Sequence, residues 1–251
     1  MVIVGEGAVT RPDGAAVLAA AAKVAQELGA LADKWVGFGV LHTAASRVGG
    51  LDLGFVPGEG GRDAATMLRE PGVVLLMGAD EIEVPAGVEG RTVVYMGHHG
   101  DRGAHAADVI LPAACYTEKS GTFVNLEGRV QMTNRAIFVP GEAKDDWAIV
   151  RALSDILGHR LPFDSMAQLR SRLYADHPHF AAIDEVAELD DAAGHIRALA
   201  ERGGDMVDEP FHPAVEDFYL TNAILRSSKI MADCSALALA ERGDAVAEAA
   251  E

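Results

Sequence analysis

Cysteine is nearly missing from this chain. Among 251 residues only Cys115 and Cys234 occur, far apart and without a CxxC pair. A disulfide framework and a four-cysteine iron–sulfur or zinc site are therefore excluded within the chain itself. Two isolated cysteines suit a reducing compartment. Long apolar runs are missing too. No window approaches the roughly 20 unbroken apolar residues of a membrane-spanning helix. The N-terminus MVIVGEGAVTRPDG has no basic lead and breaks its apolar run at Gly5, so neither a signal peptide nor direct membrane insertion is expected. Basic charge is scarce: 21 Lys and Arg against 38 Asp and Glu leave a net charge of −17. Such a field repels phosphate backbones and anionic headgroups, and no nucleic-acid partner is expected. Part of the acidic excess sits in residues 183–195 and in the tail, where solvation is its ordinary role. Ser46, Ser120 and Ser154 lack a GxSxG elbow, which argues against a hydrolase of that type.

What remains is an ordinary globular balance, 49% hydrophobic and 24% charged, in a chain long enough to bury a substantial core. Val2-Ile3-Val4 reads as a strand, Gly5-Glu6-Gly7 as a turn, and residues 15–28 as a helix closed by Gly29. Val17, Leu18, Ala21, Val24, Ala25 and Leu28 recur at helical spacing and predict its buried face. Residues 34–62 are glycine-rich without clean periodicity and predict a structured loop, with a short strand or helix near 36–45. A short helix at 64–69 precedes apolar strands at 73–77, 92–96 and 108–111, with a turn-like stretch at 84–88. Strands apolar on both faces mark a parallel sheet covered by helices. A hairpin is expected at 122–125 and 129–132. A helix follows over 145–157, with Trp147, Ile149, Val150, Leu153, Ile156 and Leu157 as its apolar set, Asp145 or Asp146 as N-cap and Gly158 as its end. After Pro162 the pattern turns helical, at 165–175, 184–202 and 222–240, and the last ten residues read as frayed. The expectation is an α/β domain over 1–160 and a helical C-terminal extension with an acidic tail over 161–251.

Three places carry chemistry. Gly5-Glu6-Gly7 between strand and helix invites a dinucleotide reading, but the third glycine of GxGxxG is absent, and Pro12-Asp13 delays the helix. A tight turn without ligand is the preferred reading. Gly97-His98-His99-Gly100-Asp101-Arg102 lies at the C-terminal edge of the sheet, where open α/β folds bind ligands. Adjacent histidines on a strand point in opposite directions, so a shared metal is not expected, and the loop reads as polar, vestigial or partner-facing. Cys115 reads as a small buried residue. The richest segment is Leu111 to Arg135. Gly121 and Gly128 fit turns needing positive φ or close backbone approach. Glu118, Lys119, Glu127 and Arg129 can form a charge-assisted network that fixes the hairpin, and the same donors can hold an anionic ligand. Both readings stay open on the residues alone.

The run ADVILPAACYTEKSGTFVNLEGRVQMTNRAIFVPGEAKDDWAIVRALSDILG (107–158) resembles the molybdopterin-oxidoreductase-like part of the large peripheral-arm subunit of respiratory complex I, the G subunit of NADH:quinone oxidoreductase. LHTAASRVGGLDLGFVPG (41–58), YMGHHGDRGAHAADVILP (95–112) and PFHPAVEDFYLTN (210–222) are similar to the same subunit, in its alphaproteobacterial and mitochondrial branch. The resemblance covers nearly the whole chain up to its acidic tail. It implies a doubly wound, mostly parallel α/β sheet related to the cofactor-binding domains of molybdenum enzymes such as formate dehydrogenases, here without the pterin and acting as a scaffold. It further implies other hydrophilic-arm subunits as partners, and a peripheral position on the cytoplasmic face of the bacterial inner membrane, or the matrix side in mitochondria. Proton pumping and electron transfer from NADH to quinone belong to the whole assembly. Iron–sulfur clusters are expected in an N-terminal part missing here or in partner subunits; this chain is expected to hold no cofactor, no metal and no catalytic residue.

Two other readings remain. The chain is a fragment of an active molybdopterin enzyme, with Glu118, Lys119, Thr122, Asn125, Glu127 and Arg129 binding the dinucleotide, or it is a free-standing nucleotide-binding module resting on Gly5-Glu6-Gly7. Candidate partner surfaces are the 42–62 loop and the 208–222 segment, with Phe211, Phe218 and Tyr219 as anchors.

Overall fold

The computed structural model describes residues 1–32, 35–186 and 190–248. In chain order the elements are β1 (Val2–Gly5), α1 (Glu6–Val9), α2 (Gly14–Glu27), β2 (Leu31–Ala32), β3 (Trp35–Val36), β4 (Phe38–Leu41), α3 (Arg47–Asp52), α4 (Ala64–Arg69), β5 (Gly72–Met77) and β6 (Arg91–Gly97). There follow α5 (Arg102–His105), β7 (Val109–Pro112), β8 (Gly121–Val124), β9 (Val130–Thr133), α6 (Asp146–Ile156), α7 (Met166–Asp176), α8 (Ala192–Glu201), α9 (Ala223–Arg226) and α10 (Lys229–Glu248). Contacts divide the chain into two units that each take residues from both sides of residue 160: residues 1–55, 122–132 and 174–216, and residues 56–121, 133–173 and 217–251.

In the first unit β1 and β4 pair in parallel, Val4 opposite Val40, while β2 and β3 form a two-residue antiparallel pair. The buried face of α2 is Gly14, Ala16, Ala19, Ala22 and Ala25. Of the expected stripe only Ala25 is on it; Val24 and Leu28 are exposed. The reason is steric. Alanines three residues apart form a shallow groove into which a neighbouring backbone can settle, and α8 packs there. Gly204 sits in the same place: a Cβ on it would lie 2.8 Å from the Ala16 Cβ. The expected helix over 184–202 is shorter than its pattern, running from Ala192 to Glu201, with Asp191 accepting from the Gly194 amide at its start. Ile183 and Val186 make isolated bridges to Val130 and Arg129 instead; residues 187–189 lie outside the described residues. Strands β8 and β9 are joined by five residues, a connection that only antiparallel strands can use. Ser46 fixes this hairpin by accepting a 3.0 Å hydrogen bond from the Val124 amide.

In the second unit β5, β6 and β7 form a parallel sheet in that order. Val74 and Leu76 stand beside Val93 and Tyr95 on one face, where Leu68 of α4 and Ala104 of α5 complete the core. This agrees with strands apolar on both faces. On the opposite face Met96 of the central strand is 1% exposed, whereas Val73 and Met77 of the edge strand β5 are 76% and 51% exposed, so that face is covered over the central strand and open along the β5 edge.

α6 begins after Asp145, at the N-cap as expected, and ends before Gly158 with φ +75°. Its buried side, however, is Arg151 and Ser154, while Ile156 and Leu157 are exposed. The Arg151 guanidinium pairs with Asp155 and Asp164 and donates to the Phe163 carbonyl. It thereby ties the 158–164 return onto the helix, which a long cation can do and a leucine cannot. The predicted helix over 222–240 is two: α9 ends at Arg226, the Ser227 hydroxyl bonds back to the Ala223 carbonyl, and α10 then runs through Glu248. The fraying expected of the last ten residues meets a helix described as far as Glu248; 249–251 lie outside the described residues.

Candidate functional site

The 118–129 segment does not build the single network expected of it. Glu118 bends back to accept from the Cys115 amide at 2.9 Å, and Lys119 pairs with Asp146 at the start of α6. Asn125 closes its own turn: its side-chain oxygen accepts from the Glu127 and Arg129 amides at 2.9 and 3.0 Å. Arg129 pairs with Glu127 at 3.6 Å and donates to the Asp184 carbonyl. Thr122 lies in β8. The charges resolve into two separate pairs, because the Asx turn and the return to Cys115 engage Asn125 and Glu118 with nearby amides. Glu118 and Lys119 belong to the second unit, and Thr122, Asn125, Glu127 and Arg129 to the first. Gly128 occupies the left-handed region at φ +81°, as the turn requires; Gly121 does not, and simply opens β8.

At the C-terminal edge of the parallel sheet a cleft of about 330 Å³ is lined by His98, His99, Cys115, Glu118, Pro140 and Glu142, among others. His98 and His99 face each other, Nδ1 to Nδ1 at 2.7 Å, with rings edge to face. The alternation expected of adjacent strand residues fails because β6 already ends at Gly97. Burial lowers the His98 pKa, and the charges of His99 and Lys119 act in the same direction against Glu118 and Asp146. No group of three or more potential metal ligands occurs among the described residues. Cys115 is buried, as its size predicts.

Beneath this edge lies a cluster that the sequence did not reveal. Arg226 of α9 pairs with Asp101, and with Asp80 and Glu81 at 3.8 and 3.5 Å. Asp80 is 1% exposed and accepts from the Gly103 amide at 2.8 Å. Tyr95 donates to the His99 carbonyl; burial, reinforced by Asp80, Glu81 and Asp101 and opposed by Arg226, pushes its phenol up to about 12. Residues 80, 101 and 226 are too distant in sequence for any spacing rule to connect them.

In the first unit, the Gly5-Glu6-Gly7 turn passes from β1 directly into α1. Gly7 is taken up by the chain itself, while Gly5 faces open space. A Cβ on Gly7 would stand 2.7 Å from the His212 carbonyl oxygen and 3.1 Å from the Ala214 amide nitrogen, so Gly7 is where the 212–214 backbone crosses the turn. Glu6 is buried. Its Oε2 accepts from both the amide and the hydroxyl of Thr43 at 2.5 Å, and its Oε1 meets Arg47 at 3.1 Å. Burial pushes this carboxyl up, yet the Thr43 donors and the Arg47 charge outweigh it and the pKa is lowered. Close by, Arg11 donates to the carbonyls of Val207, Glu209 and Pro210 and lies 4.5 Å over the Phe211 ring. Its partner Asp13 accepts from the Val207 amide at 2.9 Å.

The Arg11 hydrogen bond, reinforced by the Val207 amide, draws the Asp13 carboxyl from 3.8 down to about 2. A depressed folded-state pKa stabilises the fold above the unfolded value of about 4, and that contribution is lost as pH falls toward 2. The chain is therefore expected to lose stability across this window, and Asp13→Asn to flatten the loss while exposing residues 207–211 to faster amide exchange at neutral pH. Unchanged exchange and an unchanged acid limb in the variant would mean that Asp13 does not hold the segment.

Of the proposed partner surfaces, the 42–62 loop is exposed over 51–62 but buries Gly49, and Phe55, Phe211 and Phe218 are among the most exposed aromatics. Tyr219 is half-buried.

Comparison with known proteins adds two family matches. The molybdopterin oxidoreductase family matches residues 1–156, and the C-terminal region of the NADH-ubiquinone oxidoreductase G subunit matches residues 185–234. The mitochondrial NADH-ubiquinone oxidoreductase 78 kDa subunit of Neurospora crassa is 43% identical over 241 residues, 94% of this chain and 32% of its own. The NADH-ubiquinone oxidoreductase 75 kDa subunit of Reclinomonas americana is 38% identical over 94% of this chain and 34% of its own. The NADH-quinone oxidoreductase G subunit of Rickettsia conorii is 37% identical over 93% of this chain and 33% of its own. The chain thus spans about a third of the length of the curated relatives it matches.

Proposed function

This chain belongs to the molybdopterin oxidoreductase family, and on that basis we propose that it is a non-catalytic scaffold portion of the hydrophilic arm of respiratory complex I. The observation that carries this reading is the order of the two family matches on one chain: the molybdopterin oxidoreductase region first, then the C-terminal region of the complex I G subunit. In this reading the chain contributes surface rather than chemistry to NADH–quinone electron transfer. The clusters lie in the rest of the large subunit or in partner subunits, since Cys115 and Cys234 cannot ligate one between them. A peripheral position on the cytoplasmic or matrix face follows from the same reading, and among the described residues no helix is long and apolar enough to cross a membrane.

A pterin dinucleotide is a poor fit to the residues present. Lys119 is met by Asp146 and Arg129 by Glu127 and the Asp184 carbonyl, while Asn125 and Glu118 spend their acceptors on nearby amides. The diphosphate of such a cofactor would require those cations to abandon their carboxylates. The doubly wound arrangement of the sheet belongs to this proposal as well, and the parallel sense of the β1–β4 and β5–β6–β7 pairings supports it.

The test is native mass spectrometry of the chain purified from its own host, with iron, molybdenum and pterin analysis of the same sample. Cluster-bearing complex I subunits with iron and no molybdenum are expected. Stoichiometric molybdenum with pterin would replace this reading by that of an active molybdopterin enzyme, and a metal-free monomer would overturn the scaffold role.

A further inference from the structure

The turn at Gly5-Glu6-Gly7 stands at the C-terminal edge of two parallel strands, the edge at which α/β folds take anionic ligands. Something anionic is already there. The Glu6 carboxylate receives three donors from residues just beyond β4: the Thr43 amide, the Thr43 hydroxyl and the Arg47 guanidinium. A main-chain N–H, a hydroxyl and an arginine converging on two oxygens are the donor set that binds a carboxylate or a phosphate from solution. His42 adds to it. Its charge bears on Glu6, and its Nδ1 is buried without a hydrogen-bond partner among the described residues.

We propose that Thr43 and Arg47 form an anion seat whose occupant is this chain's own Glu6 carboxylate, held where a ligand-binding relative of this fold would receive an anionic group. The 207–214 segment crosses the chain beside Glu6, at Gly7, and leaves Thr43 and Arg47 on the exposed side of the seat. Arg11 grips the carbonyls of Val207, Glu209 and Pro210, and the backbone at His212 and Ala214 lies against Gly7 too closely to admit even a methyl group. An internal carboxylate loses no translational freedom on seating, so it outcompetes free anions at any ordinary concentration. The seat therefore accepts a small carboxylate or phosphate only when Glu6 is removed. The inference concerns this turn alone, and its failure would leave the assembly test above untouched.

Chemical rescue tests it. Wild type, Glu6→Ala and the double variant Glu6→Ala/Arg47→Ala are compared by thermal unfolding in sodium formate and in sodium chloride at equal ionic strength, with sodium phosphate as a second probe. Glu6→Ala is expected to unfold at lower temperature in chloride and to regain at least half of the loss in formate. Wild type and the double variant should show no shift specific to formate. Equal shifts in wild type, or no recovery in a folded Glu6→Ala protein, would overturn the seat. Should Glu6→Ala fail to fold in either salt, Glu6→Gln decides the matter. It keeps the side-chain volume but presents an amide where the seat requires an anion, so it is expected to lose stability that formate cannot restore. A Glu6→Gln protein as stable as wild type would overturn the proposal.

Discussion

Replacing Arg226 by Met is expected to lower stability by about 3–5 kcal/mol in urea unfolding, the range for removing one partner of a buried ion pair. The side chain is 18% exposed and faces Asp80, Glu81 and Asp101, of which Asp80 is 2% exposed at its side chain. Without the guanidinium, Asp80 is left as a buried carboxylate whose Oδ2 already lacks a hydrogen-bond partner among the described residues, satisfied only by the Gly103 amide on Oδ1. It must then draw in water or take a proton, and either disturbs the packing of α5 on Tyr95. Arg226→Lys should recover part of the loss, because the charge returns but the fork that reaches Asp101 and the Leu220 carbonyl together does not. Amide exchange at Gly103 gives an independent reading: its protection should fall with Arg226→Met. A loss below about 1 kcal/mol, typical of an exposed pair, would show that α9 is not anchored through this residue.

Met96→Ala is expected to cost about 2–5 kcal/mol, the range for emptying a fully buried position, whereas Val73→Thr on the same sheet face should change stability by no more than about 0.5 kcal/mol. In register, Met96 stands between Met77 of β5 and Leu111 of β7. It is 1% exposed while Val73, at the other end of the face, is 76% exposed. The two residues look equivalent as letters in apolar strands; the difference lies in what covers them. Paired denaturation curves of the two variants check this directly. Similar losses for both would mean that the β5 edge is covered in solution as fully as the central strand.

These two positions show where sequence reading succeeds and stops. The alternation of Val74, Leu76, Val93 and Tyr95 and the unbroken apolar runs of β5 and β6 are enough to place a parallel sheet, because β-strand geometry needs only local pattern. The family is equally legible, carried by continuous motifs such as 107–158, and the two family matches agree with it. The buried face of α2 is not. A hydrophobic pattern weights Val24 and Leu28 above Ala19 and Ala22, but close packing against α8 rewards the residues that leave room. α6 departs from its pattern in the same way, since Arg151 is buried for its hydrogen bonds and Ile156 is left exposed.

Features encoded locally are therefore readable from the residues alone: the apolar strands β5 to β7, the left-handed turn glycine Gly128, the scarcity of cysteine and the acidic charge. Each follows from neighbours in the chain or from composition. The partners of buried charge are set by tertiary folding instead. Glu6 meets Thr43 and Arg47, Arg226 meets Asp80 and Asp101, and Lys119 pairs with Asp146 rather than with the hairpin. A charged group taken out of water must find an opposite charge or donors at hydrogen-bond distance. Which group stands there depends on how segments far apart in sequence are brought together, and no spacing along the chain records that.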